Sequence, residues 1–341
     1  MALRLDDRHL IFRPEDRVTG GSFGDVYKLM ISHAGVMALK VPRSSVQPRR
    51  KVLCRAIREA LTWSLLTHEN ILPLQGIGWH SASEQLCMSS EWMSHGNIRQ
   101  YLASHPDSDR HVFLPGIAAG LQYLQEHVPP IVHGDIKGNN VLISEDLRPL
   151  LTDFGQSSVL EITQKSKSTT SSAIANARWS PPELLQPEEY GLRISTSRTP
   201  GGDIFSMLRT FLEILTDDVP FRECSNNFHV IRYVMSGNQP QRPTDAILSD
   251  RMWKLMCFVW SQGPFDRPSA REVVKYINGE TLSMALSITD INYKGGGNAS
   301  RTCQPCRQSR KKCQPGSKPS NCIACEITGV GYKPPAGKVL N

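Results

Sequence analysis

The chain lacks any apolar run approaching the roughly 20 residues that a membrane-spanning helix needs. Its start, MALRLDDRHL, has no hydrophobic stretch of the kind a secretory signal carries. Both absences predict an intracellular protein without a membrane partner. Aromatic residues make up only 7% of the 341 positions, yet hydrophobic types reach 39% and charged types 21%, enough to bury a core and keep it in solution. A wholly disordered or collagen-like chain is therefore excluded. Histidine is missing after His229, and residues 294–341 hold a single acid, Glu326, against nine Lys or Arg. The net charge is +7, so the first 293 residues sum to −1 and the basic character belongs to the end of the chain.

Cysteine is equally uneven. Nine is an odd count, and a reducing compartment argues against a disulfide scaffold. Cys54, Cys87, Cys224 and Cys257 lie among apolar neighbours and are expected to be small buried hydrophobes. The other five crowd into residues 303–325. Composition divides the chain accordingly: a large domain over 10–280, a flexible linker over 281–300 marked by GGG, and a small module over 301–335.

Within the large domain, alternating and β-branched residues predict strands at Asp25–Ile31 and Val36–Val41, joined by a turn at 33–35, and others at Leu86–Glu91 and Val141–Ile143. Leu53, Ile57, Leu61 and Leu65 recur every four residues and predict a helix over 47–67; further helices are expected near 114–126, 203–216 and 248–260. Strands early and helices later indicate an α+β protein with a β-rich first lobe and a helical second lobe.

Several segments suit the handling of a phosphate chain. Thr19-Gly20-Gly21-Ser22-Phe23-Gly24-Asp25-Val26 joins two strands, and the missing Cβ atoms at Gly21 and Gly24 would let backbone N–H groups approach an anion; a plain Gly-rich hairpin reads the same way. Lys40 ends an apolar strand and needs an anion nearby. On the following helix Glu59 shares a face with Val52, Ala56, Trp63 and Leu66, which makes it the natural partner of Lys40. Downstream, His133-Gly134-Asp135-Ile136-Lys137-Gly138-Asn139-Asn140 and Asp153-Phe154-Gly155 place acids and an amide at turns beside strands, as hard oxygen ligands and a base would be placed.

This ordered set resembles the protein kinase family over about residues 10–280. Ser180-Pro181-Pro182-Glu183, Asp203 at the start of a helix, and Asp266-Arg267-Pro268 extend the likeness, with Arg267 expected to pair with Glu183. The resemblance implies a bilobal kinase fold using ATP and Mg²⁺ on a protein substrate. Gly21 and Gly24 would cover the phosphates, and Lys40, held by Glu59, would grip them. Asp135 would take the hydroxyl proton, Lys137 would steady the γ-phosphate, and Asn140 and Asp153 would hold Mg²⁺. Val26, Ala38 and Leu142 would enclose the adenine, with Glu91 to Met93 as the hinge. Lys137 two residues after Asp135, Ser166, Ser168, Thr169 and Thr170 with no Tyr between Asp153 and Glu183, and the segments HENILPLQG and RWSPPELL look most like tyrosine-kinase-like serine/threonine kinases. Thr19, Gly134 and Leu208 depart from the pattern, and Gly134 stands where many kinases have an arginine that pairs with a phosphorylated activation segment. The alternative is a regulatory protein whose kinase fold is catalytically silent.

The tail spacing Cys303-x2-Cys306-x6-Cys313-x8-Cys322-x2-Cys325, with the basic run RQSRKK inside it, resembles the fungal binuclear zinc cluster of DNA-binding proteins. The sixth cysteine is absent, Tyr332 standing in its place. The resemblance implies one firm Zn²⁺ site from Cys303, Cys306, Cys313 and Cys322, and a weak or absent second one. Weak DNA contact through phosphates and a location in cytoplasm or nucleus follow; a degenerate remnant or a nuclear-import signal are the other readings. No dimerisation heptads are seen after the cluster, and the oligomeric state is left open.

Overall fold

The computed structural model describes residues 3–5, 16–20, 24–31, 35–43, 49–80, 85–159, 173–244, 248–261 and 263–281. The first half carries β1 (Leu3–Leu5), β2 (Arg17–Gly20), β3 (Gly24–Ile31), β4 (Gly35–Pro42), α1 (Arg49–Ser64), β5 (Gly76–His80) and β6 (Gln85–Glu91). The strands form one sheet in the order β1-β5-β6-β4-β3-β2, antiparallel except for the β1–β5 pair. Strand alternation sorts β4: Met37, Leu39 and Val41 are buried on one face, where Leu39 and Val41 join Leu29 and Cys87 in a small core, while Ala38 and Lys40 point the other way.

The second half is helical. It contains α2 (Ile98–Ser104), α3 (Leu114–Glu126), β7 (Ile131–Val132), β8 (Val141–Ile143), β9 (Pro149–Leu151) and β10 (Ser158–Val159). After these come α4 (Pro182–Leu185), α5 (Pro200–Thr216), α6 (Asn227–Met235), α7 (Asp250–Ser261) and α8 (Ala270–Ile277). Helix α5 starts where Thr199 Oγ1 accepts from the Gly202 N–H at 2.9 Å with Pro200 at the first helical position, and it is buried on every side from Gly202 to Leu215. A helix buried all round is the centre of a packed lobe. Around it Ile117, Leu121, Phe205, Phe211, Met256 and Trp260 build the main core, which continues across to Trp63 and Met88 of the first half.

The expected strands and the helices at 114–126, 203–216 and 248–260 are present within a few residues. Helix α1 is different. Ile57, Leu61 and Leu65, whose spacing predicted the helix, are 41%, 60% and 57% exposed, and Leu65 lies beyond the helix end. The buried face is the one holding Ala56, Glu59, Ala60 and Trp63. Cys54 on the same helix is exposed, against expectation, whereas Cys87, Cys224 and Cys257 are buried. Burial pushes the Cys87 thiol up to about 12, so it stays protonated and inert at neutral pH. The turn at 33–35 falls largely outside the described residues, as do Gly21, Ser166 to Thr170, all but the first linker residue, Tyr332 and the five tail cysteines.

Candidate active site

Strand β4 brings Lys40 to the inward face of the sheet, opposite Val26 on β3 and Met88 on β6. Its ammonium bonds the Glu59 carboxylate from α1 and Asp153 Oδ1 at 2.6 Å. Burial opposes the Lys40 charge, but Asp153 and Glu59 outweigh it and the pKa rises above the ordinary lysine value. Burial would likewise raise Asp153, yet the ammonium holds it down at about 2. Burial pushes the Glu59 carboxyl up, against the pull of the Lys40 ammonium. Asp153 adopts a left-handed backbone, φ 67°, and opens a short 3-10 turn, Phe154–Gln156. The buried Phe154 ring lies 6.1 Å from Trp63 and 5.3 Å from His133, which locks this turn to α1 and to the loop after β7.

That loop is held from below by α5. The Asp203 carboxylate accepts the His133 N–H at 2.7 Å and the Gly134 N–H at 2.8 Å. Burial raises its pKa to about 7, the two N–H donors opposing. The His133 ring is also buried, which lowers its pKa; Nδ1 accepts from the Asp135 N–H at 3.3 Å, so Nε2 carries the proton and donates to Thr152 O at 3.1 Å. The loop conformation is therefore pinned at both backbone and ring.

Asp135, Lys137 and Asn140 converge at the loop. Asp135 Oδ2 accepts from Lys137 Nζ at 2.9 Å and from Asn140 Nδ2 at 3.1 Å, and the same Asn140 nitrogen donates to Asp135 O at 2.7 Å. A third partner had no sequence signal. Asn176 Nδ2 donates to Asp135 Oδ1 at 2.8 Å while its Oδ1 accepts from Lys137 at 3.2 Å. Both oxygens of Asp135 are thereby oriented by neutral or cationic donors. Glu213 on α5 supports the next turn by accepting from Gly138 N at 3.0 Å and Trp179 Nε1 at 2.8 Å.

Val26, Ala38 and Lys40 share one face of the sheet, Leu142 packs against the main core, and Met93 is buried while Glu91 is exposed. Met88 belongs with them by register and was missed, although alternation from Lys40 across to β6 would have found it. Gly24 has a reason of its own: a Cβ there would sit 2.7 Å from Val41 O of the paired strand. Glu183 and Arg267 form the expected pair, with Nη2 to Oε2 at 2.9 Å and both side chains wholly buried. Among the described residues no cluster of three His, Cys, Asp or Glu could hold a metal alone, and no helix is long and apolar enough to cross a membrane.

The family description of protein tyrosine and serine/threonine kinases matches residues 12–277. The chain is 27% identical over 278 residues to human mitogen-activated protein kinase kinase kinase 11, covering 78% of this chain and 31% of that protein. It is 29% identical over 215 residues to the serine/threonine-protein kinase PBL27 of Arabidopsis thaliana, covering 60% and 39% respectively. The chain spans no more than two fifths of the length of these curated relatives.

Proposed function

Because the chain belongs to the protein tyrosine and serine/threonine kinase family, we propose that it transfers the γ-phosphate of ATP to serine or threonine hydroxyls of a protein substrate, with Mg²⁺ at the phosphates. The observation that carries this reading is the fixed carboxylate of Asp135, bonded to Lys137 and Asn140, in a loop tied by His133 and Phe154 to the Asp153–Lys40–Glu59 cluster. In this assignment Asp135 orients and receives the hydroxyl proton, Lys137 meets the γ-phosphate, and Lys40, kept charged by Glu59, meets the phosphates beyond it. Val26, Ala38, Leu142 and Met88 enclose the adenine, with Glu91 to Met93 alongside, and Gly21 and Gly24 lie over the phosphates.

The donor set fits Mg²⁺. Asn140 spends its amide nitrogen on Asp135, which leaves its oxygen as a hard ligand, and Asp153 is ionised and bonds Lys40 through Oδ1. Two such ligands without a third carboxylate or imidazole suit a cation that also takes its oxygens from nucleotide phosphates. The bound ion would neutralise the phosphate charge during transfer. Wild-type protein is expected to phosphorylate a generic protein substrate, and Asp135→Asn to lose at least about 100-fold in rate. Absence of transfer by wild type across Mg²⁺ and Mn²⁺ concentrations would favour the silent, regulatory reading.

The domain bounds proposed are 10–280, 281–300 and 301–335. For the last, the cysteine spacing supports one Zn²⁺ held by Cys303, Cys306, Cys313 and Cys322, with Cys325 in a weaker second site, and seven basic residues against one acid support contact with DNA phosphates. Metal analysis of the full chain tests this: two tightly held zinc ions would contradict it.

A further inference from the structure

Gly134 sits in the loop that carries Asp135, at the place where the kinase resemblance sets an arginine. Its backbone is left-handed, φ +76°, which favours glycine. A second constraint is specific to this chain. A Cβ on Gly134 would lie 2.7 Å from Cδ and 2.8 Å from Nε of Arg198, and 3.1 Å from Gln156 O. Arg198 comes from the segment just before α5, so another part of the chain brings a guanidinium stem to the space that a side chain at 134 would use. Its Nη2 donates to the side-chain oxygen of Gln156, the last residue of the turn that Asp153 opens. Burial lowers its pKa, with Asp135 and Asp203 opposing.

The same turn is held on two further sides. Arg55 of α1 donates through Nε to Gly155 O at 3.2 Å, and Ser157 Oγ donates to His133 O at 3.2 Å. We propose that Arg198 is a positioning residue that replaces the arginine missing at 134, bracing the turn 154–157 against the loop of Asp135 through Gln156. The brace joins two parts of the chain by a guanidinium–amide bond, so the alignment of Asp153 with Asp135 does not depend on a phosphate group. This inference rests on the kinase reading for its effect on rate, but not for the brace itself.

The test uses the full chain and two readouts: amide hydrogen exchange at 154–157, which needs no catalysis, and kcat with the KM for ATP. Arg198→Ala and Gln156→Ala are each expected to speed exchange at Ser157, whose N–H bonds Phe154 O, by about tenfold. Arg198→Ala should lower kcat by about tenfold or more with little change in KM. Arg198→Lys should rescue only in part, since it lacks the planar fork. Unchanged exchange in both alanine variants would overturn the proposal. So would a wild-type activity that phosphatase treatment abolishes and whose phosphatase response disappears in Arg198→Ala, because the guanidinium would then be a phosphate receptor. If wild type transfers no phosphate, the kinase reading fails while the exchange data still decide on the brace.

Discussion

Asn176 shows how much one carboxamide can organise. It donates to one oxygen of Asp135 and accepts from Lys137, so a single side chain fixes the spacing of a carboxylate and an ammonium. An alanine there leaves Asp135 with donors on Oδ2 alone and frees its rotation. Asn176→Ala is therefore expected to lower kcat by about tenfold with a smaller effect on KM, and Asn176→Thr, whose hydroxyl can donate and accept, to restore part of it. Steady-state kinetics at saturating ATP would check this; equal losses in both variants would assign Asn176 a packing role. Nothing in the sequence marked this residue, because its partners lie 39 and 41 positions upstream and no local pattern distinguishes it from any polar residue in a loop. Asp135, Lys137 and Asn140 were legible because they occur together in one short segment.

At the level of elements, α1 separates what periodicity can and cannot tell. Two apolar series run along it with the same spacing of four, and spacing alone does not say which faces the protein. The buried series holds Ala56, Ala60 and Trp63 around Glu59, and Trp63 Nε1 donates to Leu72 O at 2.6 Å. The sheet offers Lys40 on that side, and pairing an otherwise costly buried carboxylate outweighs the burial of a few more leucine carbons. Trp63→Ala is expected to destabilise the protein by about 3–5 kcal/mol, whereas Leu61→Gln should stay within about 0.5 kcal/mol. Denaturant unfolding of both variants tests the assignment, and a large loss in Leu61→Gln would show that its face is covered.

Across the whole molecule, residues far apart in sequence close the helical lobe. Glu183 and Arg267 are 84 positions apart and form a two-bonded pair with no solvent contact, Arg267 also donating to Gly201 O at 3.1 Å. Removing one partner leaves a buried charge uncompensated, so Arg267→Met should cost about 3–5 kcal/mol, while the double change Glu183→Leu/Arg267→Met should recover part of that loss. Unfolding midpoints of the single and double variants measure the coupling.

The sequence by itself determined the class of the molecule. Ordered short motifs and strand-like segments preceding helix-like ones required a β-rich lobe followed by a helical one, and the motifs named Lys40, Glu59, Asp135, Asn140 and Asp153 as the chemical groups. Those properties are local, since a motif is contiguous and a period repeats within one element. Tertiary structure decided that Ile57 and Leu61 of α1 stay exposed, that Asn176 completes the Asp135 cluster, and that Arg198 occupies the space beside Gly134. Each depends on side chains from distant segments meeting in one volume, where only one can fit and buried charges must find partners.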